Sequence, residues 1–229
     1  MTTDACILSY LKQVLEGRGD FRDSDILNNV KEFEALKIRA ENSEILNMQA
    51  VSQWRILASN TLRNGGKTET WEAANQKLGH MLNQNLPFDF EMICALQNAL
   101  SGEPPLVRTG PIYTADEQYI DHKYISELIV DLNNALRNSE IEFFYKAFMT
   151  YTWIVTVHPF ANSNGRTARL MADGLLISDG MLPLCFASPV QSHVAQTKGG
   201  ALRSVETSFY TFLGGIINSY KLALKEISF

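Results

Sequence analysis

Residues 158–169 read H-P-F-A-N-S-N-G-R-T-A-R. The run follows a segment, Glu140 to Thr156, that is apolar nearly all round and so reads as a central buried helix. It leads into a second helical pattern from about Gly165 to Ser178, and it holds one histidine and two arginines but no acidic residue. A helix beginning here turns its first unbonded N–H groups into the loop, where its partial positive charge suits phosphate oxygens. Asn164 and Gly165 tolerate the left-handed backbone that forms a nest of N–H donors. Arg166 and Arg169, three apart, reach the same helix face, and together these features describe a cradle for a polyphosphate.

His158 stands at the other end of the loop, just before Pro159, where a neutral imidazole can accept a proton from an incoming hydroxyl. Phe160 reads as an apolar pin. The chemistry suggested is transfer of a phosphate-containing group from a nucleotide to a hydroxyl, with His158 as base and the loop as anion hole. The plainer alternative is a capped helix start, a histidine bonded to its neighbours and arginines paired with surface acids.

Working outward, the 229 residues are 45% hydrophobic and 20% charged, ordinary values for a soluble globular protein with a full core. A net charge of -5 argues against a broad nucleic-acid surface while leaving room for a local anion site. Cys6, Cys94 and Cys185 match neither a zinc spacing nor an even disulfide framework and read as reduced thiols. The N-terminus carries Asp4 where a signal peptide carries basic charge, and no apolar run approaches the ~18 residues that span a bilayer. The expectation is a cytoplasmic chain that engages neither nucleic acid nor a membrane; export to a host cell by another kind of signal stays open, as does a homo-oligomer.

Helical periodicity runs through most of the chain, so the fold class is mostly α. Ile7 to Leu15 forms a first helix; Asp25 caps a second carrying Ile26, Leu27, Val30, Phe33 and Leu36. Further helices are expected over 44–62, 69–83, 88–101, 123–137, 188–198 and 202–226. Between Pro104-Pro105 and Asp121, two β-prone pieces flank a polar turn and predict a small hairpin.

The run His158 to Arg169 resembles the signature of Fic (Fido-fold) proteins, H-x-F-x-[D/E]-G-N-G-R-x-x-R. Six of the eight specified positions agree; Asn162 and Ser163 differ. The 106–120 stretch is similar to that family's flap, a β-hairpin that docks the target segment by strand pairing. The resemblance implies a Fic-type helical bundle with a small β-hairpin flap. It divides the chain into a core over 87–229, with flap 106–120 and the C-terminal helix, and an N-terminal helical extension over 1–86 with a regulatory role.

By resemblance the chain is an adenylyltransferase-like enzyme that moves AMP from Mg-ATP to a Ser, Thr or Tyr hydroxyl of a target protein. His158 is then the base. Ser163, Asn164, Gly165, Arg166 and Arg169 hold the nucleotide phosphates, and Thr109, Gly110, Ile112 and Tyr113 form the docking edge. Asn162 takes the place of the family's magnesium-binding acid, a neutral amide where a hard cation prefers charge. Ser163 replaces a glycine beside the anion hole, which opens phosphocholine or phosphate transfer as alternatives to AMP. A weakened scaffold that only binds nucleotide or protein is the other reading. Glu41, in K-I-R-A-E-N, fits the end of the family's inhibitory helix and is expected to pair with Arg169 if that helix is retained; otherwise it marks a helix stop.

Overall fold

The central helix packs on every side: each residue from Lys146 to Val157 is buried, most of them apolar. It is α6 of a computed structural model that describes residues 3–17, 19, 21–43, 46–49, 51, 68–114, 117–186 and 204–226. Eight α-helices lie among these residues: α1 (Thr3–Leu15), α2 (Ser24–Glu41), α3 (Thr68–Asn83), α4 (Phe90–Ser101), α5 (Ile125–Arg137), α6 (Phe143–Val157), α7 (Asn164–Ser178) and α8 (Val205–Ala223). The helix expected over 188–198 falls outside the described residues, as does nearly all of that over 44–62. None of the described helices is long and apolar enough to cross a membrane.

Helix starts differ from the periodicity reading where a side chain captures a backbone N–H. Asp23, not Asp25, caps α2, its carboxylate accepting from Asp25 N at 2.8 Å. Asp89 accepts from Met92 N at 3.0 Å and so starts α4 at Phe90 rather than Phe88. Asn138 Oδ1 takes the Glu140 N–H at 2.9 Å in a turn, which delays α6 to Phe143.

One apolar cluster joins Ile7, Leu11 and Val14 of α1 to Phe148 and Trp153 of α6 and to Phe212 and Ile216 of α8. Helix α7 runs along α6, with Ala168 and Ala172 fully buried where small side chains permit close approach. Helix α3 closes on α7 at Gly174, where an added Cβ would lie 2.9 Å from Leu78 Cδ1. Helix α2 lies along α8.

In the β-prone stretch, the two pieces expected to form a small hairpin do not pair with each other along their length. Strand β1 (Tyr113–Thr114) pairs antiparallel with β2 (Glu117–Gln118), each two residues long. The first piece turns to the loop instead: Val107 forms an antiparallel bridge with Phe160, and Arg108 N donates to Pro159 O at 2.9 Å.

Candidate functional site

The loop between α6 and α7 is bracketed by two left-handed residues. His158 ends α6 at φ 53°, ψ 57°, its N–H still donating to Ile154 O at 3.0 Å. Pro159 disfavours further right-handed helix at the residue before it. Ser163 precedes α7 at φ 64°, ψ 5°. Each left-handed L-residue costs about 1–2 kcal/mol, so the surroundings have to hold both.

Arg108 holds the first. Its guanidinium is buried, 8% exposed, and donates to four backbone carbonyls: Nε to His158 O (2.8 Å), Nη1 to Gly110 O (3.0 Å), and Nη2 to Ile120 O (2.5 Å) and Val157 O (3.1 Å). Burial pulls its pKa below the ordinary guanidinium value, and the charge of Asp121 opposes that shift. Tyr119 adds a second support: its ring stacks on the His158 imidazole with centroids 4.1 Å apart and planes 29° apart. The position of His158 is therefore fixed from the segment that carries the strands, not from α6 alone.

Asn164 braces the middle of the loop. Its Oδ1 accepts from Phe160 N (3.0 Å) and its Nδ2 donates to Phe160 O (2.7 Å), both buried. The side chain is thus engaged with the loop itself, and its backbone N–H is what remains for an anion. Phe160 is fully buried and stacks on Phe90 at 5.9 Å, 14° between planes. Ser163 caps α7 in position only: its Oγ accepts from Arg166 Nη2 at 2.6 Å instead of from a helix N–H. The residue that departs from glycine thereby aims the first arginine. Arg169, 8% exposed, lies over the Trp71 ring of α3, 5.8 Å from its centroid.

These bonds occupy the carbonyls of the first half of the loop. The carbonyls of Val157, His158, Pro159 and Phe160 each accept a hydrogen bond from the chain. The N–H groups at the start of α7, which no turn of helix precedes, face the loop. With Arg166 and Arg169 beside them, the loop presents donors and positive charge, which is the requirement of an anion site.

Asn162 is half-buried, and its Oδ1 accepts from Gln97 Nε2 of α4 at 3.3 Å. No three of His, Cys, Asp and Glu gather to hold a metal ion among the described residues. Thr109 is exposed, Gly110 and Ile112 half-buried; Tyr113 is described only as the first residue of β1. The structure does not bring Glu41 to the loop. It ends α2 exposed, on the helix that packs along α8, and its charge adds to the effect of burial in raising the Tyr220 phenol. No ion pair joins it to Arg169 among the described residues; of the two readings the sequence left open, an inhibitory contact and a helix stop, Glu41 stands as the last residue of α2, which lies along α8.

Sequence reasoning missed Arg108 and Gln97. An arginine inside the otherwise apolar piece L-V-R-T-G was the available clue for the first; a glutamine on the buried face of α4, between Leu96 and Leu100, was the clue for the second. Cys94, on the same helix, is held as a thiol: burial, with Glu91 and Asp89 adding to it, pushes its pKa up to about 11.

Residues 87–176, which hold the left-handed histidine, the braced loop and the arginine-bearing helix start, match the Fic/DOC family model. The match covers well under half of the chain and includes the loop from His158 to Arg169. The chain is similar to the protein adenylyltransferase fic-1 of Caenorhabditis elegans, 29% identical over 92 residues, which is 39% of this chain and 18% of that protein. It is also similar to a probable protein adenylyltransferase of Aquifex aeolicus, 29% identical over 85 residues, 36% of this chain and 27% of that protein. The matches thus span less than a third of these curated relatives. Among solved structures, a Fic-1 fragment from C. elegans superposes with a TM-score of 0.63 at 17% identity, covering 97% of this chain and 83% of that one, a likeness of fold.

Proposed function

We propose that this chain is a Fic-type transferase that moves AMP, or another nucleotide-derived phosphate group, from a nucleotide to a Ser, Thr or Tyr hydroxyl of a protein. The observation that carries the reading is the make-up of the loop: four consecutive carbonyls are engaged by the chain, and a helix start and two arginines stand beside a histidine. The printed names of the relatives, protein adenylyltransferases, supply AMP as the default group.

In this reading the target's side-chain oxygen attacks the α-phosphorus while His158 accepts its proton, and the bond from that phosphorus to the β-phosphate bridging oxygen breaks, releasing pyrophosphate. Arg166 and Arg169 bind the phosphates, and the N–H groups of Asn164 and Gly165 stabilise charge on the reacting group. Thr109, Gly110, Ile112 and Tyr113 offer the edge on which the target backbone docks. Residues 87–229 form the catalytic core, with 1–86 an added helical region. Magnesium does not fit the residues present: the position a cation would use holds a neutral amide whose oxygen is already hydrogen-bonded, so no step is routed through a metal.

The test is labelling from radioactive ATP, with CDP-choline and the other nucleoside triphosphates as alternative donors. Wild type labels itself or an added target, and His158→Ala abolishes labelling while nucleotide still raises the Tm. Labelling retained in His158→Ala removes the histidine from its role. Asn162 favours the second reading, a scaffold that binds nucleotide without efficient transfer; binding with no labelling from any donor supports that reading instead.

A further inference from the structure

Asn162 is distinguished by the end of its side chain that is already occupied. Gln97 projects from α4 and is 4% exposed; its Nε2 donates to Asn162 Oδ1 at 3.3 Å. Among the described residues the buried Gln97 Oε1 accepts no hydrogen bond, the cost of an orientation that points the glutamine's donor, and not its acceptor, at Asn162. With Oδ1 held from the buried side, the half-exposed Asn162 presents Nδ2, a group with two hydrogens and no lone pair for a cation.

We infer that Gln97 sets Asn162 as a phosphate-contacting donor, so that the loop grips the diphosphate of a nucleoside di- or triphosphate directly, without a bridging divalent cation. This rests on the nucleotide reading above. The charge balance agrees with it: the guanidiniums of Arg166 and Arg169 and the start of α7 supply the positive charge that a metal ion supplies elsewhere, and no carboxylate lies between residues 158 and 169 to repel bare phosphate. The position where a carboxylate would hold a cation has become one more N–H donor aimed at the anion.

The experiment is calorimetric titration of the full chain with ADP, once in EDTA and once in excess magnesium. Wild type binds with Kd values within about threefold of each other. Asn162→Asp places a carboxylate against the phosphates: binding in EDTA weakens by about tenfold or more, and magnesium restores it. Gln97→Glu, which can only accept from Asn162 Nδ2 when ionised, turns the amide so that Oδ1 faces the ligand, and shifts the chain toward magnesium dependence with residue 162 unchanged. Because Gln97→Glu buries an acid and can fail to fold, Asn162→Leu provides the second measurement: it removes the donor and weakens binding in both buffers. Wild-type binding that appears only with magnesium overturns the inference and leaves the nucleotide reading standing. Asn162→Asp and Asn162→Leu that bind ADP as wild type does in EDTA also overturn it. No ADP binding in either buffer removes the nucleotide reading, and the inference with it.

Discussion

Replacing Arg108 by methionine keeps most of the buried side-chain volume and removes the guanidinium. Four carbonyls lose their donor. Those of Ile120 and Val157 are bonded in buried surroundings, whereas the bonds to His158 and Gly110 are only partly buried, so water can replace the donor there. At about 1–3 kcal/mol for each buried unsatisfied group, the two buried carbonyls give a loss of about 2–6 kcal/mol. Relief from burying a charge without a bonded carboxylate brings this toward the lower half, about 2–4 kcal/mol. For a chain of this length that corresponds to a drop in Tm of roughly 5–15 °C. Urea titration gives the free energy, and differential scanning calorimetry the Tm. Because the lost bonds include the one to His158 O, transfer should fall through kcat while the KM for nucleotide changes little, since Arg166 and Arg169 lie across the loop. Arg108→Lys should lose nearly as much, one ammonium being unable to reach carbonyls that a planar fork spans. A methionine variant that melts within about 2 °C of wild type refutes the argument that this side chain holds the loop.

Asn164→Ala leaves the Phe160 N–H and C=O without partners in a buried site and should destabilise by about 2–4 kcal/mol in urea; a loss below about 1 kcal/mol would show that the loop is held from elsewhere. Ser163→Gly trades a left-handed residue for one that takes that conformation freely, against loss of the bond that aims Arg166. Stability should change by less than about 1 kcal/mol while the KM for nucleotide rises, and a loss above about 2 kcal/mol would contradict this balance. Cys94 reacts as its thiolate, and with its pKa near 11 the rate of alkylation should climb about tenfold per pH unit from pH 8 to 10, followed by peptide mass spectrometry. A plateau reached before pH 10 would rule out the environment described for it.

The helices were legible because their causes are local. The nearly all-round apolar character of Phe143 to Val157 marks the central helix without any tertiary information, and the amphipathic Phe209, Phe212, Ile216 and Tyr220 pattern does the same for α8. Their first residues were not legible from periodicity, because Asp23, Asp89 and Asn138 fix those starts through single side-chain bonds that leave the apolar spacing unaltered. The candidate site divides in the same way. His158, Ser163, Asn164, Arg166 and Arg169 lie within the single run 158–169, so one loop and the helix after it carry them. Gln97 meets Asn162 from 65 residues away and Arg108 meets His158 from 50, and no local pattern states which carbonyl a distant guanidinium will reach. The β-prone stretch was recognised for its composition; which partner it took was decided by Arg108 and the loop, a contact outside the stretch itself.

The shared apolar cluster sets a lower bound on what can be cut from this molecule. The family model covers residues 87–176, yet Ile7, Leu11 and Val14 on one side and Phe209, Phe212 and Ile216 on the other complete the packing around Phe148 and Trp153. An excised 87–176 fragment would present those faces to water as a sticky surface, and its loop would sit on a helix pair free to splay. The boundaries drawn by sequence kinship and those drawn by mechanical integrity therefore differ, and a minimal version of the protein has to retain α1 and α8 to keep His158 and Arg169 in one frame.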